Sequence, residues 1–429
     1  FAHNAGGFGL TGTDNVISCG SYTGNGSSTG PVVNLGYEPQ FIILKAASGG
    51  TSGAQDWNMI DNMRGWTTSS NQQLNPNLSA AETSQNNIAL NATGFQPITA
   101  GADFNGSGNT YIYIAIRRGP MKVPSTGSSV FGLSARSGTG ANATVTGGQT
   151  DDAVLVKNRG SAVGDLFASR LTGTGYLVTS ATDAEVAAGT TILQANPWDV
   201  MDGVKVGTTS TITNASGNTF INYLFKRAPG FFDVVCYTGD GTSGARAINH
   251  NLGVTPTFMI DKPRSDQYWT LYHSLLTYTK YLSLPSTSAA GTDSNFWAAD
   301  PTSSTFSVGS YRNAVSDTYI NYLFATCPGV SKVGSYTGTG ALQTVNCGFT
   351  SGARFVLIKR TDSTGDWWTY DSARGISSGN DPYLFLNSTA AEVTSTNYVD
   401  TDSTGFKVTA AAPAGLNASG GTFIFLAIA

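Results

Sequence analysis

The sequence predicts an all-β protein, a tandem array of four β-sandwich, jelly-roll-like repeats of about 100 residues each. Three observations support this prediction. Short β-branched and aromatic runs alternate with turns rich in Gly, Asn, Asp and Thr. Long runs of Leu, Glu, Lys and Arg at helical spacing are absent. Several short phrases recur at a nearly constant interval along the 429 residues.

Two anchors mark each repeat. The first is a mostly apolar run that ends in a lysine, at residues 41–45, 153–157, 258–262 and 355–359. The second is a strand-like run that closes each repeat, at residues 111–115, 220–224, 319–323 and 423–427. A Tyr-Thr-Gly phrase opens three repeats, at Tyr22, Tyr237 and Tyr336, and residues 137–140 keep a relic of it. The period is too long for a solenoid and suits a string of small domains.

These anchors place the repeats at residues 18–118, 128–227, 232–326 and 331–429. Residues 1–17 are predicted to be the end of an upstream repeat plus a linker, because Phe1-Ala2 matches Phe324-Ala325. We therefore expect a longer parent protein. Short joints that contain Gly and Pro, such as residues 118–120, 228–230 and 327–329, predict stiff links that build a rod.

Within repeat one, the order of elements follows from short apolar runs bounded by turn residues. Strands are predicted at residues 32–35, 41–44, 57–60, 88–90, 94–98 and 111–116. The Ala-Ala-Glu phrases at residues 78–82 and 388–392 predict one helical turn each. Strands this short with frequent turns favour a sandwich or a jelly roll.

Composition excludes several classes of protein. Charged residues make up 12% of the chain, and the formal net charge is −4 without a basic stripe, so nucleic acid is not expected as a partner. No apolar stretch is long enough to span a membrane, so no membrane insertion is expected. The four Cys lack zinc-site spacing and predict free thiols rather than one disulfide. We expect no metal and no cofactor.

Catalytic patterns are weak, and the sequence predicts that the protein is not an enzyme. A glycosidase needs two carboxylates at a defined separation, but Glu82, Glu185 and Glu392 share one repeat position. Gly-x-Ser-x-Gly at residues 26–30 and 375–379 lacks the long helix and the downstream histidine of a nucleophile elbow.

The sharpest motif is Asp-Trp-x-x-x-Asp-x-x-Arg-Gly, which occurs at residues 56–65 and 366–375. An exposed indole can stack on a sugar ring while Asp and Arg hold its hydroxyls. The motif therefore predicts glycan contacts by Trp57, Asp61, Arg64, Trp367, Asp371 and Arg374. The alternative interpretation is that Trp packs in the core and Asp forms an ion pair with Arg.

A family resemblance follows from these motifs taken together. Tyr22-Thr-Gly-Asn-Gly26, Leu35-Gly-Tyr-Glu-Pro39, the lysine-ended strand, the Trp-Asp-Arg motif and Leu74-Asn-Pro-Asn77 carry it. The sequence resembles an uncharacterised repeat domain of bacteriophage virion structural proteins, especially tail-fibre-like proteins. The resemblance implies a virion-surface, extracellular location. The partners it implies are other virion proteins, copies of the same chain with a trimer as one form, and a host-surface glycan.

The leading hypothesis is a non-enzymatic virion structural protein, a phage tail-fibre or surface-appendage segment that spaces and presents host-binding or assembly surfaces. The alternative is a secreted bacterial carbohydrate-binding or filament-forming repeat protein. A third hypothesis, a depolymerising tailspike, disagrees with the repeat length, since that class shows a long parallel β-helix. A pure assembly role, in which the repeats pack on identical neighbours and bind no ligand, stays open beside receptor binding.

Overall fold

The computed structural model describes residues 3–9, 12–49 and 55–429. The chain is all-β, with several separate antiparallel sheets that do not close into barrels, so the all-β prediction is confirmed. The match of Phe1-Ala2 to Phe324-Ala325 falls on residues outside those that the structure describes.

The strands follow the predicted repeats in order. Up to residue 118 they are β1 Asn4–Phe8, β2 Asp14–Thr23, β3 Val33–Asn34, β4 Pro39–Ser48, β5 Asn58–Asp61, β6 Asn71–Gln73, β7 Thr83–Gln85, β8 Ile88–Asn91, β9 Gly94–Pro97 and β10 Thr110–Arg117. Residues 128–227 contain β11 Phe131–Ser137, β12 Ala143–Val145, β13 Ala153–Asn158, β14 Leu166–Ser169, β15 Gly175–Leu177, β16 Val186–Ala187, β17 Val204–Val206 and β18 Thr219–Phe225.

The second half of the chain continues the pattern. Residues 232–326 contain β19 Phe232–Thr238, β20 Arg246–Asn249, β21 Phe258–Pro263, β22 Thr270–His273, β23 Lys280–Ser283, β24 Gly291–Thr292, β25 Trp297–Ala299, β26 Thr305–Val308 and β27 Thr318–Phe324. Residues 331–429 contain β28 Ser331–Thr337, β29 Gln343–Asn346, β30 Phe355–Arg360, β31 Trp367–Asp371, β32 Leu384–Phe385, β33 Val399–Asp402, β34 Gly405–Val408 and β35 Thr422–Ile428, with the short helix α1 Ala414–Asn417 between the last two.

One strand order recurs in the four main sheets, which run β1-β2-β10-β4-β5, β11-β18-β13-β14-β15-β16, β19-β27-β21-β22-β23-β24 and β28-β35-β30-β31-β32. In each sheet the closing strand lies between the opening strand and the lysine-ended strand. The smaller sheets are β3-β9-β8, β6-β7, β12-β17, β20-β26-β25 and β29-β34-β33. The two sequence anchors are therefore neighbouring strands at the centre of each main sheet.

The register of these central strands is also repeated. The anchor lysine lies opposite an isoleucine of the closing strand each time, in the pairs Lys45–Ile112, Lys157–Ile221, Lys262–Ile320 and Lys359–Ile424. The pairing identifies equivalent residues in different repeats without relying on sequence similarity. Successive side chains of a strand point to opposite faces of its sheet, so this register also fixes which residues share a face.

Burial on both faces explains why the lysine-ended runs are apolar without alternation. In β13, Val154 and Val156 pack in an apolar cluster inside residues 143–224, whereas Leu155 packs in a second cluster on the other face. That second cluster also contains Ile260 and Leu357, which lie in the lysine-ended strands of the next two repeats. The strands therefore contribute one face to their own repeat and one face to a shared core.

The shared core changes the predicted arrangement of the repeats. One apolar cluster includes buried side chains from all four predicted repeats, such as Trp66, Phe167, Trp269 and Trp367. The expectation of a string of domains that builds a rod is therefore wrong within this chain. The repeats pack against one another because each main sheet has a second apolar face that must be removed from water.

The predicted helical turns are also absent. Residues 78–82 and 388–392 form no helix, and the backbone there is irregular apart from a bend at Leu78. In residues 388–392 the N–H of Glu392 donates to the carbonyl of Arg159, far away in the chain. An external hydrogen bond of this kind takes the place of the bond that a helical turn would supply.

Candidate functional site: the Trp-Asp-Arg motif and the contacts between repeats

Both copies of the motif form the same turn. Asp61 ends β5 and Asp371 ends β31, and the backbone N–H of the arginine three residues later donates to Oδ1 of the aspartate at 2.9 Å in each copy. The guanidinium Nε then contacts Oδ2, at 2.6 Å for Arg64 and 2.5 Å for Arg374. The spacing Asp-x-x-Arg thus lets one carboxylate hold both the turn and the arginine side chain.

Each arginine has two more partners. Arg64 donates to the carbonyl of Met59 at 3.2 Å and to Glu82 at 3.0 Å. Arg374 repeats this arrangement, with the carbonyl of Thr369 at 2.9 Å and Glu392 at 3.4 Å. The glutamate of the Ala-Ala-Glu phrase is therefore an ion-pair partner of the motif arginine.

An asparagine that the motif did not include fixes the tryptophan backbone. The N–H of Trp57 donates to Asn77 Oδ1 at 2.9 Å, and that of Trp367 donates to Asn387 Oδ1 at 2.8 Å. The amide groups of these asparagines in turn donate to the aspartates that precede the tryptophans, at 2.8 and 2.9 Å. The signal for this contact was the Leu-Asn-Pro-Asn phrase, whose last residue is Asn77.

The two tryptophans differ in what covers them. Trp57 is 37% exposed, whereas Trp367 is 1% exposed and its indole N–H donates to the carbonyl of Ser283 at 3.2 Å. Trp269, at the same position opposite Lys262, is 0% exposed and donates to the carbonyls of Val178 and Ala181. A neighbouring repeat therefore covers the indole wherever it is buried.

The six predicted glycan-binding residues thus fall into two groups. Trp367, Asp371 and Arg374 are buried beneath other repeats, and no indole face is left there on which a sugar could stack. Asp61 and Arg64 form an ion pair and reach solvent, with side-chain exposures of 22% for Asp61 and 18% for Arg64, and Trp57 of the same copy is exposed as well. The glycan role stays a prediction at those three residues.

A tyrosine from another repeat completes the buried copy. Tyr223 in β18 donates its hydroxyl to Asp371 at 2.8 Å and lies 3.2 Å from Arg374. Burial raises the pKa of Tyr223 well above its ordinary value, so the hydroxyl keeps its proton. Burial disfavours the charged guanidinium of Arg374, but Asp371, Tyr223 and Glu392 together outweigh burial and raise the Arg374 pKa. The cation is therefore stable in the interior.

A second contact between repeats uses the Ala-Ala-Glu phrase. We call residues 181–185, 286–290 and 388–392, with their counterpart 78–82, the docking segments. Each of the first three ends in a backbone N–H that donates to the carbonyl two positions after an anchor lysine: Glu185 to Arg264 at 2.8 Å, Ala290 to Thr361 at 2.9 Å and Glu392 to Arg159 at 2.8 Å. Repeat two thus docks on repeat three, repeat three on repeat four, and repeat four on repeat two.

Side chains reinforce two steps of this cycle. Arg264 binds both carboxylate oxygens of Glu185, at 2.9 and 2.6 Å. Arg159 binds both oxygens of Glu392 at 2.8 Å. Two parallel hydrogen bonds fix the geometry of an arginine–carboxylate pair as well as its distance. The cycle of contacts among repeats two, three and four is therefore closed and specific.

The anchor lysines Lys157, Lys262 and Lys359 contact an acidic group of their own repeat or loop carbonyls. Lys157 contacts Asp165 at 3.0 Å, and Lys262 donates to the carbonyls of Pro263 and Ser265. Lys359 also donates to the carbonyls of Thr287 and Ser288 in the docking segment of repeat three. The lysine thus ties a strand end to a loop in each case.

A buried ion-pair cluster joins repeat one to the rest of the chain. Arg227 binds both carboxylate oxygens of Glu38, at 2.8 and 2.6 Å. Arg118 lies 3.4 Å from Glu38 and 3.5 Å from Asp233, and Asp152 lies 3.5 Å from Arg227. Burial disfavours the Asp152 carboxylate, but the surrounding arginines outweigh it and lower its pKa. The sequence offered only a weak signal, basic residues at two joints of a chain with few charges.

Metal and thiol chemistry is limited in the described part of the chain. In residues 3–9, 12–49 and 55–429 no group of three or more His, Cys, Asp or Glu is placed to hold a metal ion. All four Cys are free, so the free-thiol prediction is confirmed. No helix among the described residues is long and apolar enough to cross a membrane.

Comparison with protein families gives one match. The model of a domain of unknown function, DUF7483, matches residues 16–120 and 230–429, which leaves out the whole of repeat two. A search of the curated proteins finds no match. Because the matched residues make up more than half of the chain, the protein belongs to the DUF7483 domain family.

Proposed function

We propose that the chain is a non-enzymatic virion structural protein, a phage tail-fibre or surface-appendage segment whose four β-sandwich, jelly-roll-like repeats form a packed assembly unit. The observation that carries this proposal is the closed cycle of contacts among repeats two, three and four. It gives the most distinctive sequence motifs a role in holding repeats together. The virion-surface location and the virion partners rest on the resemblance of the motifs to phage structural proteins.

The repeated strand order supports the four-repeat architecture. Each main sheet has its closing strand beside its lysine-ended strand, and a smaller sheet lies in the same stretch of sequence. Three apolar clusters, each confined mainly to one repeat, combine residues of the large and the small sheet. Two sheets that share an apolar cluster are the usual arrangement of a sandwich.

The use of the charged residues supports a structural role over a catalytic one. The chain has few charges, and several of them form ion pairs where repeats meet. Two of these pairs join different repeats, Arg264–Glu185 and Arg159–Glu392, and a third, Arg374–Asp371, lies at such a contact. Such pairs specify geometry, because breaking one leaves a buried charge without its partner. A protein that spaces or presents surfaces needs that specificity.

Host-glycan contact is proposed only for Trp57, Asp61 and Arg64, which reach solvent. The same exposed indole keeps the alternative open, a secreted bacterial carbohydrate-binding or filament-forming repeat protein. The two candidates differ in where the protein is found, which one experiment can measure.

The experiment is immunogold labelling of particles from the culture whose genome encodes the chain. An antibody against the exposed strand Thr83–Gln85 is suitable because its residues are exposed. We expect gold on an appendage or on the surface of purified virions, and co-sedimentation of the protein with them. Recovery of the protein only in particle-free medium or at a bacterial cell wall would contradict the virion role and favour the alternative.

A further inference from the structure

We propose that repeat one is a trimerisation module, in which three copies of the chain bring their first repeats together in the cycle of contacts that repeats two, three and four make within one chain. The proposal deepens the assembly role in the proposed function and rests on that role only for the biological purpose of the trimer. It takes the place of glycan contact at Trp57, because the trimer would bury that indole. The partner is a second and a third copy of this chain. Several residues of repeat one are exposed, whereas the residues at the same positions in the other repeats are buried.

The isoleucine opposite each anchor lysine gives the clearest comparison. Ile221, Ile320 and Ile424 are buried in the shared apolar core, where another repeat covers their face of the sheet. Ile112 occupies the same register position opposite Lys45, yet it is 43% exposed. The same side chain at the same position is therefore covered in three repeats and open to solvent in the first.

The other residues on that face of the sheet are also more exposed than their counterparts, as Ile112 is. Ile43 and Ile114 are paired in register and partly exposed, whereas their counterparts Leu155 and Tyr223 are buried. Trp57, which directly precedes β5 next to the pair Leu44–Asn58, is 37% exposed, whereas Trp269 and Trp367 are covered by the preceding repeat. A contiguous apolar face on a folded protein indicates a surface that binds another protein.

Repeat one also retains the docking segment that the cycle uses. Residues 78–82 are exposed, and Glu82 holds Arg64 as Glu392 holds Arg374. In the other repeats the docking segment binds the carbonyl of the residue two positions after an anchor lysine. In repeat one that residue is Ala47, which is exposed as well. Within the part of the chain that the structure describes, Ala47 does not accept a hydrogen bond from a docking segment, unlike Arg159, Arg264 and Thr361.

The number of copies follows from the geometry inside the chain. Each contact of the cycle joins a docking segment to a different surface, the strand end beside the anchor lysine, so the contact is head-to-tail. A head-to-tail contact either closes into a ring or continues as a filament, according to its rotation. Among repeats two, three and four this rotation closes after three members. Three first repeats that use the same contact should close in the same way.

The apolar face favours copies of this chain over an unrelated partner. Repeats two, three and four pack against one another, and each has the same anchor lysine, opposite isoleucine and docking segment. Because equivalent repeats bind one another, another copy of repeat one can cover this face. Burial of Ile112 and Trp57 in that contact would remove apolar surface from water. The polar part of the contact would come from Lys45 and the exposed carbonyls of residues 78–82.

The test is the mass of the purified chain of residues 1–429 in solution, measured by light scattering after gel filtration and by native mass spectrometry. We expect three times the 44.6 kDa of one chain at micromolar concentration. A monomer, a dimer or an open series of larger species would overturn the proposal. This readout is independent of virion labelling, so a trimer that labels no particle would contradict the proposed function alone.

Two variants and one control locate the interface. Ile112→Asp and Trp57→Ala should each weaken the trimer at least tenfold, while circular dichroism and melting of the monomer stay those of a folded chain. Leu342→Asp changes an aliphatic side chain that is 62% exposed in repeat four, and it should stay trimeric. A trimer that survives both repeat-one variants, or that loses only glycan binding on Trp57→Ala, would show that the face has another occupant.

Discussion

Glu38 and Arg227 lie 189 positions apart in the chain and form a buried ion pair through two parallel hydrogen bonds, at 2.8 and 2.6 Å. Glu38 follows the turn before β4, and Arg227 follows β18 at the joint after repeat two. The pair therefore fixes repeat one against the joint between the second and third repeats. It adds a side-chain contact to a joint whose backbone also makes hydrogen bonds, such as that from Ala228 N–H to the carbonyl of Phe232.

Glu38→Gln tests that role. The variant leaves the buried Arg227 charge with weaker compensation, and we expect it to lower the free energy of unfolding by about 3–5 kcal/mol. Urea unfolding followed by tryptophan fluorescence measures the change. Asp240→Asn is the control, because Asp240 and Arg246 form an ion pair at the surface and that variant should unfold at the wild-type urea concentration. Equal midpoints for both variants would show that the buried pair does not hold the joint.

Trp367→Ala tests whether the motif holds repeats together. The indole fills space between repeats three and four, and we expect the variant to lose about 3–5 kcal/mol of unfolding free energy. Tyr268→Ala is the control, since Tyr268 is an aromatic residue that is 64% exposed. A thermal melt compares the two. If Trp367→Ala is as stable as Tyr268→Ala, the indole does not contribute to the stability of the core. The sugar interpretation would then be open again.

The sequence predicted the β architecture well, because short apolar runs and turn residues are local signals. The lysine-ended run predicted β4, β13, β21 and β30, and burial on both faces explains its lack of alternation. The helical turn at residues 388–392 was predicted from the local Ala-Ala-Glu phrase, but Glu392 donates its N–H to the distant carbonyl of Arg159, a contact that no local phrase signals.

The candidate site could be predicted only in part. Asp61 with Arg64 and Asp371 with Arg374 have the same local spacing and form the same turn, so a local motif sufficed for the ion pair. The exposure of the two indoles could not be predicted from the motif. A neighbouring repeat covers Trp367, and that contact depends on how the whole chain packs. Tyr223 was missed for the same reason, as it reaches Asp371 from 148 positions away.

His273 should make stability depend on pH. Burial lowers the pKa of His273 to about 4 from its ordinary 6.5. Between those values the unfolded chain binds a proton that the folded chain does not, so His273 lowers the stability as pH falls from 6.5 to 4. At 1.36 kcal/mol per pKa unit, the loss is up to about 3 kcal/mol.

The comparison of wild type with His273→Phe isolates this contribution. We expect the variant to show a smaller loss of stability than wild type between pH 6.5 and 4, measured by urea unfolding at several pH values. Some slope should remain, because burial also lowers the pKa of His250. Parallel pH profiles for the two proteins would mean that His273 titrates in the folded chain as it does in the unfolded one.

Cys347 should resist alkylation in the folded protein. Burial raises the pKa of the Cys347 thiol to about 12, and the residue packs in the apolar cluster of repeat four. The thiolate is the nucleophile, so at pH 8 only about one thiol in ten thousand is reactive, apart from the barrier of burial. Iodoacetamide labelling followed by peptide mass spectrometry should modify the partly exposed Cys19 first and Cys347 only after denaturation. Modification of Cys347 at the rate of Cys19 in the native protein would mean that repeat four opens locally, and that its own apolar cluster is less stable than its packing indicates.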